Sequence, residues 1–217
     1  MMQLLDFDNI TLTLLPQKGV YIKSLDSLLV ADVHLGKSEN FQQFGLPIPS
    51  AVNQTTLDRL TQLCHQLTPK RLLVLGDLFH SRLALTESVL LPLKQFIAFT
   101  GVEVQLVLGN HDRGLASLLS DYGIQCIDGA LELENVILSH EPLTQSDRLN
   151  ICGHLHPCLH LRTALDRLRL PCFFLDKSAK QLILPAFGEF TGGYEVKLQP
   201  QTAAYIAVED TIVAFEG

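Results

Sequence analysis

Apolar residues in this chain gather in short unbroken segments, and five of them stop abruptly at Asp, Asn or His. They are Leu28 to Ala31, Leu72 to Leu75, Leu106 to Leu108, Val136 to Leu138, and Asn150-Ile151-Cys152. Short apolar runs bounded by Gly or a polar residue read as buried strands. Elsewhere the period changes to that of a helix. Ser50 is the N-cap of a helix through about Leu67, with Leu57, Leu60, Leu63, Cys64 and Leu67 in one stripe and Pro69 ending it. A second helix spans about Thr86 to Phe99 and turns Val89, Leu90, Leu93, Phe96 and Ile97 inward. Pro92 within it predicts a kink or a later start. A short helix around Leu115 to Ser120 ends at the Gly123 turn, and Gly36 to Pro49 reads as a loop. Residues 10 to 23 alternate as one or two strands. After Gly123 strands dominate, at 124–127, 136–139, 172–175, 182–184, 203–208 and 211–215. An alternating βα half followed by a β-rich half predicts one α/β domain over residues 1–217, a four-layer α-β-β-α sandwich of two packed mixed sheets.

Composition agrees with that picture. A hydrophobic content of 47% and a charged content of 18% suit a globular chain, and no low-complexity tract or Pro/Ser-rich linker divides it. The N-terminal segment lacks the basic stretch of a signal peptide. No apolar run approaches the roughly 18 residues of a membrane span, so no membrane partner is expected. Five scattered cysteines, an odd number, argue against a disulfide framework, and a cytoplasmic location is expected. The formal charge of −7 excludes broad nonspecific coating of duplex nucleic acid. Charge is uneven, however. Between His160 and Lys180, Arg162, Arg167, Arg169, Lys177 and Lys180 face only Asp166 and Asp176, which makes the stretch either a solvated surface loop or a local basic patch.

The polar residues that end the apolar runs carry the chemistry. In α/β sheets, ligands collect beyond the carboxyl ends of strands. Asp32-Val33-His34 is expected to set a carboxylate and an imidazole on one side of an extended strand end, a pair suited to Mn, Fe or Zn. Asp77 follows Gly76, whose missing side chain lets backbone approach a bound ion. Gly109-Asn110-His111-Asp112 offers a neutral carbonyl oxygen and then an adjacent imidazole and carboxylate, expected to pair and fix the imidazole tautomer. His140 closes the fourth segment, and Gly153-His154-Leu155-His156 places two imidazoles at i and i+2. Any one of these histidines alone reads as a hydrogen-bonded core or surface residue, but five strand ends with the same donors predict a two-metal site. Cys152 and Cys158 flank the last pair at a spacing wrong for structural zinc, so Cys152 is expected to be a small buried hydrophobe. His65 and His160 read as structural.

In their order these segments resemble the calcineurin-like metallophosphoesterase superfamily, whose pattern is D-x-H, G-D, G-N-H-D, H and G-H-x-H. Every ligand position of that pattern is filled. The resemblance implies that Asp32, His34 and His156 hold one ion and Asn110, His140 and His154 the other, with Asp77 shared. It leaves His111 to meet the substrate. Two bound divalent ions would bring the charge of −7 to −3, with the change concentrated at the site. Residues 31–37, 76–80, 153–157 and 184–193 are further similar to the bacterial ligase-associated DNA damage response endonucleases, a likeness covering about Leu28 to Tyr194. That family implies a manganese-dependent phosphodiesterase or DNA endonuclease with two divalent ions, iron and zinc being compatible. It also implies a DNA substrate, single-stranded by expectation, and a functional link to a DNA ligase and a helicase-like module. His111, oriented by Asp112, would stabilise charge or protonate the departing oxygen. His80 would stand on the leaving-group side, Lys37 and Arg113 would steer phosphate, and 187–193 would line the cleft or simply turn. The alternatives are a phosphodiesterase or pyrophosphatase for a small nucleotide and, more remotely, a noncatalytic scaffold on the same fold.

Overall fold

The computed structural model describes residues 1–43, 45, 51–162, 166–189 and 191–217, so the Ser50 cap lies outside the described residues. In the first sheet, β1 (Gln3–Phe7), β2 (Ile10–Leu14) and β3 (Val20–Ile22) run antiparallel into β4 (Ser27–Val30). Then β5 (Arg71–Leu75), β6 (Glu103–Val107) and β7 (Ile124–Ile127) continue it in parallel. The helices α1 (Lys37–Gln43), α2 (Ala51–Leu67), α3 (Glu87–Thr100) and α4 (Ala116–Asp121) lie between these strands in sequence.

The second sheet contains β8 (Leu131–Glu132), β9 (Val136–Leu138), β10 (Leu149–Cys152), β11 (Pro157–Arg162), β12 (Arg167–Asp176), β13 (Gln181–Ile183) and β14 (Tyr194–Glu195). Their spatial order is β14-β11-β12-β13-β10-β9-β8. β15 (Thr202–Val208) pairs with β12, and β16 (Thr211–Glu216) with β15. β9, β10 and β13 are parallel neighbours and the rest is largely antiparallel, so both sheets are mixed, as expected.

Alternation along the central strands divides the core. Leu28, Val30, Leu72, Val74 and Leu106 pack on Leu57, Leu60 and Leu63 of α2 and on Val89, Leu93 and Phe96 of α3. Their neighbours Leu29, Leu73, Leu75 and Val107 face the second sheet, where Leu138, Ile151, Phe173, Leu182 and Tyr205 meet them. Strands covered on both faces need apolar side chains at every position, which is why they read as unbroken runs. No helix among the described residues is long and apolar enough to cross a membrane.

Several local expectations give way to tertiary context. The loop expected at Gly36 to Pro49 contains α1: Asn53 accepts the Gly36 N–H at 2.9 Å and donates to the Glu39 carboxylate at 2.8 Å, an anchor that no local periodicity announces. Pro92 neither delays nor interrupts α3, which runs from the Thr86 cap to Gly101. Burial of Val89, Leu93 and Phe96 outweighs the hydrogen bond that proline omits. The stretch from His160 to Lys180 is no simple loop but largely β11 and β12, an antiparallel pair. On the outer side of the second sheet, Cys172, Ala204 and Ile206 are covered by Leu159, Val196, Leu198 and Phe215, and the described helices pack instead on the first sheet.

Phe173 is fully buried between the sheets. Phe173→Ala is expected to cost about 3–5 kcal/mol, read as a lower urea midpoint with an unchanged slope.

Candidate metal centre

The turns beyond β4, β5 and β10 present their donors through an uncommon backbone. Asp32 (φ 53), His34 (φ 50), Asp77 (φ 51), His154 (φ 68) and His156 (φ 50) are all left-handed. Non-glycine residues seldom adopt that conformation, and each such residue stores of order 1–3 kcal/mol. Asp32 and His34 therefore do not share one side of an extended strand. The chain coils between them and buries Val33. Neighbouring turns hold one another in place: Asp32 N–H donates to Gly76 O (3.1 Å), His34 N–H to Asp77 O (2.9 Å), Gly153 N–H to His140 O (3.0 Å) and Gly188 N–H to Asp32 O (3.1 Å). Gly76 (φ 79) sits against the His140 imidazole, where a β-carbon would collide with the ring.

The donors converge in two groups, Asp32 with His34 and His156, and Asp77 with His140 and His154. Asp77 stands between them, Oδ2 lying 4.0 Å from His34 Nε2 and Oδ1 3.6 Å from His140 Nε2. Asn110 joins the second group with Oδ1 3.0 Å from His140 Nε2, and His154 Nδ1 is also 3.0 Å from that nitrogen.

The donor chemistry fits cations. Leu75 O can only accept, so His140 Nδ1, 3.1 Å away, carries the proton, and in the neutral ring Nε2 turns a lone pair toward Asn110 Oδ1. Two acceptors at that distance need a positive charge between or beside them. Asp32 is fully buried. Its Oδ2 accepts the His154 N–H, but Oδ1 has no hydrogen-bond partner although His156 Nε2 is 3.2 Å away. Burial, and then the neighbouring His156, Lys37, His111 and His80, push the His34 pKa down to about 2, so its ring stays in the neutral form that ligates.

His111 lies at the mouth of the centre, its side chain 37% exposed, with Nε2 3.8 Å from Asp77 Oδ2. Its expected pairing with Asp112 is not found. The Asp112 carboxylate is fully buried and accepts the backbone N–H groups of Gly109 (3.1 Å), Phe79 (3.3 Å) and Leu78 (3.4 Å), binding the β5 and β6 turns together. Burial raises its pKa, while those donors pull the other way. What places His111 is its own N–H, donated to Asp77 Oδ1 at 3.0 Å, and the His80 ring stacked on it at 5.5 Å. His80 stands between His111 and the stacked Phe41, a contact no sequence signal foretold. Burial, with Lys37 and His111, lowers the His80 pKa to about 4. Lys37, half-buried beside Phe41, is close enough to depress both His34 and His80. Arg113 is exposed and lines a depression of about 660 Å³ together with Asn110 and His140.

The 187–193 stretch divides in two. Phe187 is buried under the Arg59 guanidinium, 4.2 Å from the ring centre, and its N–H bonds to Ala31 O. Thr191, Gly192 and Gly193 line a depression of about 270 Å³ beside His156, and Phe190 lies outside the described residues. Cys152 is buried and its thiol is pushed far up by burial, as a small hydrophobe should be. His65 is exposed against Phe99, and His160 Nδ1 lies 3.3 Å from the Glu195 carboxylate.

Residues 27–178 match the calcineurin-like phosphoesterase family, and the chain belongs to it, a hydrolase with a paired His/Asp metal site. Among solved structures it is similar to the nuclease MPE of Pseudomonas putida, with 34% identity and a TM-score of 0.83 over 95% of this chain and 97% of that one. A phosphoesterase of E. coli, Yfce, is 17% identical with a TM-score of 0.45 over 87% of this chain and 97% of that one. AQ665 of Aquifex aeolicus, a protein of unknown function, is 18% identical with a TM-score of 0.43 over 60% and 78%. No curated protein matches the chain.

Elemental analysis of the purified protein tests the donor groups. Asp32→Ala is expected to lose about half the bound metal and Asp77→Ala more than that; wild-type content in both variants would refute the grouping. Mn²⁺ at about one hundred times its Kd should add about 2.7 kcal/mol per site to the unfolding free energy, and EDTA should remove the gain.

Proposed function

We propose that the protein is a manganese-dependent two-metal phosphodiesterase that cuts single-stranded DNA endonucleolytically. The observation that carries this reading is the similarity over 95% of the chain to a nuclease. In it, Asp32, His34 and His156 hold one ion, Asn110, His140 and His154 the other, and Asp77 is shared. When bound, the two ions supply charge for the phosphoryl oxygens and make a water acidic enough to attack at neutral pH. Iron or zinc would suit the same donors.

The remaining work falls to the chain. Asp77 Oδ1, by accepting the His111 N–H, holds that residue above the donors, and the stacked His80 limits rotation of its ring. His111 donates a proton toward the phosphoryl or departing oxygen, which matters most for diesters because alkoxides leave poorly. His80, kept neutral by burial, serves as an N–H donor on the leaving-group side, and Asp112 positions the loop beneath both. Lys37 and Arg113 draw the phosphate inward. The donors stand between two open depressions, one at Asn110 and His140 and the other at His156, an arrangement that lets a polymer enter and leave without an end. A role in DNA repair in the cytoplasm, beside a DNA ligase and a helicase-like module, belongs to the same reading, as does action of residues 1–217 as one domain.

With Mn²⁺ supplied, bis-aryl phosphodiester, aryl monoester, cyclic nucleotide and circular single-stranded DNA should be compared. The DNA circle is expected to be linearised. An intact circle alongside rapid cyclic nucleotide hydrolysis overturns the endonuclease and favours the small-substrate alternative. His111→Ala should lower diester cleavage by about 10²–10⁴-fold with near wild-type metal content. Loss of metal in that variant would contradict the role given to His111.

A further inference from the structure

β11 leaves the metal centre directly after His156 and pairs with β12 in a regular register: Cys158 opposite Pro171, Leu159 opposite Leu170, His160 opposite Arg169 and Leu161 opposite Leu168. Opposed residues share a face and successive residues alternate, so this ribbon has two sides of different chemistry. Leu159, Leu161 and Leu170 pack into the apolar cluster outside the second sheet. The other side carries His160, Arg169 and Arg167, and at its root Cys158, Pro171 and Arg169 help line the depression beside His156. Arg167 and Arg169 are exposed, and among the described residues neither guanidinium has a hydrogen bond or ion pair. His160 differs, because the Glu195 carboxylate 3.3 Å away offsets it. Gly193 brings the basic side to the centre. A β-carbon there would lie 2.7 Å from Arg169 Nη2 and 2.8 Å from His156 O, so only glycine lets the guanidinium rest over that loop next to the ligand-bearing turn.

We propose that this face is a phosphate track for a single-stranded polynucleotide: Arg169 binds the phosphate adjacent to the scissile one, and Arg167 the phosphate beyond it. The proposal rests on the nuclease reading above and assigns the part of the chain that holds the strand outside the metal centre. Guanidinium forks match phosphate oxygens bidentately. Residues two apart on a strand stand about 6.5 Å apart, a distance one sugar-phosphate unit spans. A small diester ends at the ions and never reaches the ribbon, so the two substrate classes separate experimentally.

Arg167→Gln and Arg169→Gln, singly and together, provide the test. Binding of a fluorescent short oligothymidylate is read by anisotropy in a His111→Ala background, where the strand survives. Turnover of bis(4-nitrophenyl) phosphate is read with His111 intact. The double variant is expected to bind the oligonucleotide about tenfold or more weakly, with a log–log salt dependence shallower by about 0.7 for each lost contact. Its small-diester turnover should stay within about twofold of the parent. Undiminished binding in the double variant, absent binding in the parent, or an equal fall in both readouts overturns the track. If the strand binds in the His111→Ala background yet the enzyme with His111 intact leaves a DNA circle uncut, the nuclease reading is overturned instead and the track stands.

Discussion

The structure is organised around a convergence of lone pairs that the polypeptide cannot satisfy by itself. Asp32 is wholly buried with one carboxylate oxygen unpartnered, and His140 Nε2 faces the carbonyl oxygen of Asn110 at 3.0 Å. Removing an ionised carboxylate from water without a partner costs several kcal/mol, and five left-handed non-glycine residues in three turns add to that. Such a cluster persists only where the surrounding structure over-determines it. Here the surround is a pair of sheets whose facing surfaces are completely apolar from Leu29 and Leu73 across to Ile151 and Phe173. Cations turn the same arrangement from a cost into a gain, which ties folding stability to metal supply.

The donor identities were legible in sequence because strands buried on both faces carry few polar residues before they emerge, the hydrogen-bonded Asn150 within β10 being an exception. The first Asp, Asn or His after each apolar run therefore marks the edge of the core, and in this fold the edge is the site. The way each donor is held was not legible. Asp32-Val33-His34 has the spacing of an extended pair, yet its left-handed turn depends on Gly76, Asp77 and Leu78 accepting backbone hydrogen bonds from another strand end. Asp112 looks like an orienting carboxylate because it adjoins His111 in sequence. Burial against three backbone N–H groups from two turns gives it a different task. α1 likewise rests on Asn53, sixteen residues beyond its first residue, Lys37. In each case the deciding partner is remote in sequence, where local periodicity carries no information.

His111 is placed by its backbone N–H on Asp77 Oδ1 and by the stacked His80 ring, not by the neighbouring Asp112 carboxylate. A carboxylate against the ring would stabilise imidazolium and raise its pKa. Stacking on a neutral His80 restricts the ring without adding a negative charge, and the nearest carboxylate, Asp77, lies among the metal donors. Burial, with Lys37 and His111 beside it, keeps His80 uncharged.

A centre built this way recognises a phosphoryl group and little else, so discrimination among phosphodiesters has to come from surfaces flanking the ions. Charge distribution bears on this. The chain carries a net −7, which disfavours generalised adhesion to polyanions, while Arg167 and Arg169, without an ion pair among the described residues, lie on a ribbon that follows His156 directly. Long-range repulsion with short-range attraction admits a strand only where it can reach the ions and the ribbon together. On the proposed reading an extended single strand bends across both, whereas a duplex brings a second row of phosphates to a chain of net negative charge. Screening by salt weakens the repulsion and the arginine contacts alike, so selectivity of this kind depends on geometry more than on the total charge.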